Sequence, residues 1–119
     1  MVVDDDTCCR EALRLLLEHQ GFEVETACDG GVAARLIESS AFDLVITDLD
    51  MPVMNGLLLI RHLRALSDCA GLPIVLLTAA PPGDPRLREA VGMPRVSAHR
   101  KGGKASEVTA LAREMLSAA

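Results

Sequence analysis

Apolar positions along this chain follow two different periods. Solid runs end abruptly at polar residues: Val2-Val3 at Asp4-Asp5-Asp6, Leu44-Val45-Ile46-Thr47 at Asp48, and Pro73 to Leu77 at Thr78. Short apolar runs bounded by turn residues predict strands buried on both faces. Residues 23–28 alternate polar and apolar instead, as an edge strand does, and residues 95–99 predict a weaker fifth strand. Between the strands the spacing changes to three and four. Ala12, Leu13, Leu16 and Leu17 predict a helix over 7–20, with Gly21 as its C′ residue. Ala33, Leu36 and Ile37 predict one over 32–39. A third covers 57–66 behind Asn55-Gly56, and a brief one covers 86–91. Val108, Leu111, Ala112 and Met115 share one face of a last helix over 106–116, with Ser106 as N-cap. Strand and helix alternate five times. The expectation is therefore an α/β fold, (βα)5, with a parallel five-stranded sheet, right-handed crossovers and helices on both faces.

That arrangement gives the polar residues at the run ends a meaning. Ligand sites of open parallel sheets lie at the carboxyl ends of the strands. Asp4 and Asp5, Asp48, Thr78 and Lys101 each follow a predicted strand. Together they offer a carboxylate pair, a lone carboxylate, a hydroxyl and an amine, a set suited to a divalent cation and a phosphoryl group. Each has a plainer assignment. One acid of the triplet is needed to cap the first helix, and Asp6 is the best placed. Thr78 could simply end a strand. Lys101 could be a surface lysine, with Lys104 as its rival. Met51, Met54 and Met93 read as packing, and His19, His62 and His99 as surface residues.

Composition narrows the class. The chain has 119 residues, half of them hydrophobic and 2% aromatic, so the core must be aliphatic. Residues 1–119 are expected to form a single domain. No apolar run approaches the roughly 20 residues of a membrane span, and no signal peptide opens the sequence. A cytoplasmic protein without membrane contact is the expectation. The four cysteines include no C-x-x-C pair and read as buried, reduced thiols. The net charge is −5, yet residues 86–104 carry six basic side chains against one acid, Glu89. That segment is either a solvated face or a dock for an acidic partner. Nothing accompanies it that would argue for direct nucleic-acid binding.

Four motifs in order carry a family resemblance: Val-Val-Asp-Asp-Asp at 2–6; Asp-Leu-Val-Ile-Thr-Asp at 43–48 with Met51-Pro52 and Gly56; Leu-Leu-Thr-Ala at 76–79; and Lys101 with Glu107. The chain resembles a response-regulator receiver domain of two-component signalling, over residues 2 to about 116. The resemblance implies a flavodoxin-like, doubly wound sheet in order 2-1-3-4-5 within a three-layer sandwich. It implies Asp48 as phosphoacceptor, assisted by Thr78 and Lys101. It implies Mg²⁺ held by Asp5, Asp48 and the Asp50 backbone carbonyl, with Asp4 acting mainly through water. The implied donor is a histidine kinase or histidine phosphotransfer protein. The output partner or domain is left unnamed, and a homodimer is an open alternative. Such a domain is not an enzyme in the usual sense, since it catalyses only its own phosphorylation and dephosphorylation. Three departures stand out: Ala98 where the family carries an aromatic residue, Gly102 where proline usually follows the lysine, and a Pro-rich segment after Thr78. Two alternatives are a degenerate receiver that binds partners without phosphorylation and a haloacid-dehalogenase-type phosphatase suggested by Asp48-Leu49-Asp50. The phosphatase would need a further acidic pair after the lysine, where only Glu107 and Glu114 occur.

Overall fold

A computed structural model describes residues 1–117. Its elements run β1 (Val2–Val3), α1 (Thr7–His19), β2 (Thr26–Ala27), α2 (Gly30–Ser39), β3 (Val45–Asp48), α3 (Gly56–Ala65), a short 3₁₀ turn (Ser67–Cys69), β4 (Ile74–Thr78), α4 (Pro85–Val91), β5 (Val96–Arg100) and α5 (Ala105–Ser117). All strand pairs are parallel, in the order β2-β1-β3-β4-β5. The expected doubly wound, three-layer architecture is the one observed.

Alternating side chains of the buried strands feed two aliphatic cores. Val3, Val45, Ile74 and Leu76 pack with Ala33, Ile37, Leu59, Ile60 and Leu63 under α2 and α3. Val2, Ile46 and Val75 pack with Leu17, Val108 and Ala112 under α1 and α5. A central parallel strand covered on both faces must be apolar at every position, which is why β3 and β4 read as solid runs.

Each of the first four helices opens on a polar cap. Asp6 accepts hydrogen bonds from the Cys8 and Cys9 N–H at 2.9 and 3.2 Å, and these bonds hold its carboxyl below the usual range. Asp29 caps α2 through Val32 N–H, Asn55 caps α3 through Leu58 N–H, and Asp84 caps α4 through Arg86 N–H, each at 2.9 Å. Pro85 in the first turn of α4 loses no intrahelical bond there. Gly21, at φ 95°, ends α1 as expected.

Several expectations need correction. The second strand is only Thr26–Ala27: the Glu25 carbonyl still accepts the Val2 N–H at 2.9 Å, but β1 offers residues 23–24 no partner. The last helix begins at Ala105, so Ser106 lies in its first turn, where its carbonyl accepts the Thr109 hydroxyl at 2.9 Å. Ala12 is exposed and does not belong to the inward face of α1. Only Cys69 is a buried thiol; Cys8, Cys9 and Cys28 are exposed. Cys8 and Cys9 sit in the first turn of α1, beyond the reach of the core. Of the three histidines, His19 is exposed, while His62 and His99 are half-buried and pair with Glu38 and Glu107 at 2.8 and 2.9 Å.

Candidate phosphoryl site

The carboxyl ends of β1, β3, β4 and β5 converge on one edge of the sheet. The three consecutive aspartates after β1 divide their work there. Asp6 turns out to cap α1, and Asp4 turns in. Asp4 is 7% exposed, its Oδ1 accepts the Asp6 N–H at 3.0 Å, and its carbonyl accepts Arg10 Nη1 at 2.7 Å. Asp5 stays exposed, but carboxylate oxygens of Asp4, Asp5 and Asp48 all lie within 4.8 Å of one another.

Asp48 ends β3 and is likewise 7% exposed. Its Oδ1 accepts the Leu49 N–H at 2.8 Å. Lys101, just past β5, places Nζ 3.0 Å from Asp48 Oδ2 and 3.0 Å from Asp4 Oδ2. Lys101 therefore makes the contacts, and Lys104 is an exposed residue beyond it. Burial pushes the Asp48 carboxyl above its usual range; the Lys101 hydrogen bond and charge pull it back, and neighbouring Asp4 adds to the rise. Burial works against the Lys101 charge too, but its bonds to Asp4 and Asp48 outweigh that, and the ammonium is held above its usual range. Two carboxylates and one ammonium thus share a poorly solvated site, with one negative charge in excess before Asp5 is counted.

Thr78 ends β4 and is 3% exposed. Its hydroxyl accepts the Ala80 N–H at 2.9 Å, and its carbonyl accepts the Lys101 N–H at 2.9 Å. The lysine and the threonine are thus joined by one backbone bond. Small Ala79 follows and leaves the mouth open. Asp50 is placed differently: its side chain faces solvent and accepts Arg86 Nη1 at 2.7 Å. Arg86 also holds Asp84, at 2.9 Å. That guanidinium bridges the loop after β3 to the start of α4, across the mouth of the site. Sequence reasoning had Arg86 only as part of a basic segment; its partner lies 36 residues away, and no local pattern signals such a pair.

The β3–α3 loop is tightly packed. A Cβ on Gly56 would collide with the Asp48 carbonyl and come within 2.9 Å of Leu49 Cα, and a Cβ on Gly30 would meet the Met54 carbonyl. Val53 sits in this loop at φ 67°, a left-handed conformation costly for a β-branched residue, with its side chain 86% exposed.

The sequence and the fold have close relatives among known proteins. The family model for the response regulator receiver domain matches residues 1–98. The response regulator MprA of Mycolicibacterium vanbaalenii is 47% identical over 79 residues, which is 66% of this chain and 33% of that protein. The chain thus spans about a third of the length of this curated relative. The chemotaxis protein CheY4 of Vibrio cholerae superposes with a TM-score of 0.88 at 27% identity, covering 96% of this chain and 94% of the other. The receiver domain of a Pseudomonas aeruginosa sensor histidine kinase, solved with a magnesium ion coordinated in its active site cleft, gives 0.86 at 26% identity, covering 98% and 94%. With the sheet order, the acidic cluster and the lysine all in place, the chain belongs to the response-regulator receiver domain family of two-component signalling.

Proposed function

We propose that residues 1–119 act as one phosphoacceptor domain, taking a phosphoryl group onto Asp48 from a phosphohistidine donor, a histidine kinase or a histidine phosphotransfer protein, and later losing it to water. The observation that carries this reading is Lys101 Nζ at 3.0 Å from both Asp4 and Asp48, within a cluster of three carboxylates.

The donor set fits a hard divalent cation, since every available ligand atom is oxygen and the cluster carries more negative charge than Lys101 balances. Mg²⁺ is the ion of choice, as in the Pseudomonas neighbour. Asp5, Asp48 and the Asp50 carbonyl would hold it, with Asp4 acting through water. Bound there, the ion neutralises carboxylates and the oxygens of an incoming phosphoryl group. Asp48 is the nucleophile. Its carboxylate oxygen forms a bond to phosphorus while the P–N bond to the donor imidazole breaks, and the imidazole keeps the electron pair and takes up a proton. Lys101 moves charge balance from carboxylate to phosphoryl oxygen, and Thr78 can donate its hydroxyl proton to another. In the return step water attacks phosphorus and the Asp48 carboxylate leaves. The domain turns over only its own phosphoryl group. Its effect passes through protein contact in the cytoplasm, by way of an output partner, an output domain or a second copy.

Acetyl phosphate with Mg²⁺ tests this reading. A single phosphate on Asp48, absent in Asp48→Asn and diminished by EDTA, is expected by mass spectrometry. Undiminished labelling of Asp48→Asn would refute the assignment, and steady turnover of a phosphomonoester would favour phosphatase chemistry instead.

A further inference from the structure

One guanidinium crosses the opening of the acidic site, and all three of its nitrogens face carboxylates. Arg86 Nε and Nη2 form a fork on Asp84 at 3.2 and 2.9 Å, and Nη1 reaches Asp50 at 2.7 Å. The bonds to Asp84 first, and to Asp50 second, hold the guanidinium above its ordinary pKa, so its charge is permanent.

The fold does not need the Asp50 arm of this bridge. Asp84 caps α4 through the Arg86 backbone N–H at 2.9 Å, a bond that any residue but proline at position 86 supplies. The Asp50 side chain is 62% exposed and that of Arg86 37%, and ion pairs this open to water contribute little stability. What the arm does change is the field at the entrance. Asp4, Asp5 and Asp48 already carry more negative charge than Lys101 balances. Asp50 stands two residues beyond Asp48. A bare carboxylate there adds one more charge in the path of an arriving phosphoryl group, which is itself an anion.

We propose that Arg86 is a specificity-determining residue of this site. It masks the Asp50 carboxylate at the entrance, which admits anionic phosphodonors and moderates the pull on divalent cations. The inference rests on the proposed reading of Asp48 as phosphoacceptor. Charge masking acts with opposite sign on the two ligands: without Arg86 a cation binds more tightly and an anionic donor reacts more slowly. Loss of structure would weaken both.

Arg86→Gln removes the charge and keeps a polar side chain. Mg²⁺ binding, measured by titration calorimetry, should tighten roughly threefold at low ionic strength. Labelling of Asp48 by acetyl phosphate, at saturating Mg²⁺, should slow roughly fivefold, and the deficit should shrink at high salt. Phosphoramidate, which is less negative at neutral pH, should lose less. Adding Asp50→Asn to Arg86→Gln should return both quantities to near the wild-type values, and Arg86→Lys should keep them there. Weaker Mg²⁺ binding together with slower labelling would make Arg86 a structural brace and overturn the proposal. So would a labelling deficit that Asp50→Asn leaves in place, or one that is the same at low and high salt. Failure of the underlying reading looks different: wild type itself would then take no label at Asp48.

Discussion

Lys101→Met isolates the charge balance of the site while keeping the length of the side chain. In wild type, one ammonium serves two buried carboxylates at 3.0 Å each. Removing one partner from a fully buried ion pair costs about 3–5 kcal/mol. Here the Lys101 side chain is 26% exposed, so water screens part of the loss, and about 2 kcal/mol is the reasonable magnitude. For a chain of this size that lowers the melting temperature by about 8 °C. The sign with pH follows from Asp48. Its carboxyl titrates above the ordinary range in the fold, so between the two values the folded state binds more protons than the unfolded state, and stability falls as pH rises. Without Lys101 to pull it back, the Asp48 window moves higher and the penalty at neutral pH grows. The gap between variant and wild type should therefore be widest in EDTA near pH 7. It should shrink as pH is lowered and the carboxylates take up protons. Added Mg²⁺ should narrow it as well, because a divalent cation supplies the missing positive charge and binding to the folded state stabilises it. Thermal melts followed by circular dichroism, at several pH values with EDTA or Mg²⁺, measure all three. A gap independent of both pH and Mg²⁺ would refute the charge-balance argument and leave Lys101 as a packing residue.

Val53→Gly should stabilise the protein by roughly 1 kcal/mol, since the exposed side chain gives little packing and its left-handed backbone is strained; a lower urea midpoint would mean that Val53 is held there by contacts worth more than the strain. Gly56→Ala should cost about 3 kcal/mol or more, because the new methyl collides with the Asp48 carbonyl, and it should depress acetyl-phosphate labelling as well; normal labelling with normal stability would show that α3 can retreat. Arg86→Ala breaks a solvent-exposed bridge and should cost less than about 1 kcal/mol, yet speed hydrogen exchange in residues 50–54 and 79–84 together; unchanged exchange in both loops would mean the bridge restrains neither.

Most of the site was legible because parallel sheets put polar groups where solid apolar runs stop. Asp48 and Thr78 end such runs and are where the pattern set them. The triplet Asp4-Asp5-Asp6 resolved itself by simple need, since one helix takes one cap and Asp6 supplies it. Lys101 was harder to read. β5 is an edge strand, only half-buried over Val96 and Ser97, so it lacks the apolar run that marks a strand end, and the family resemblance carried that residue. The second strand was overread because alternation reports a face, not a partner, and β1 provides two rungs only. The cysteines were misread because Cys8 and Cys9 fall in the first turn of α1 and Cys28 in the turn between β2 and α2, all three outside the packed layers. The Arg86 bridge was invisible, being a contact between two loops joined by tertiary structure alone.

The unusual residue at 98 bears on how a charge at Asp48 could be read elsewhere. Ala98 is exposed on β5, so no ring lies there to follow Thr78. What remains in contact with the acidic cluster and its loops is polar. The Thr78 hydroxyl holds the turn at Ala80, the Lys101 N–H stitches β5 to β4, and Arg86 ties Asp50 to the cap of α4. Of these three, Arg86 is the one that reaches a helix, while on the opposite side Arg10 of α1 reaches the Asp4 carbonyl. A guanidinium shared between Asp50 and Asp84 responds to added negative charge two residues from Asp50 by electrostatics, without needing an apolar cavity to fill or empty. α4 is seven residues long and rests on Ala90 and Leu87, with Glu89 paired to Arg61 of α3. On the proposed reading, in which Asp48 takes up a phosphoryl group, the physical route from it to the surface is a chain of charged contacts through the β4–α4 loop.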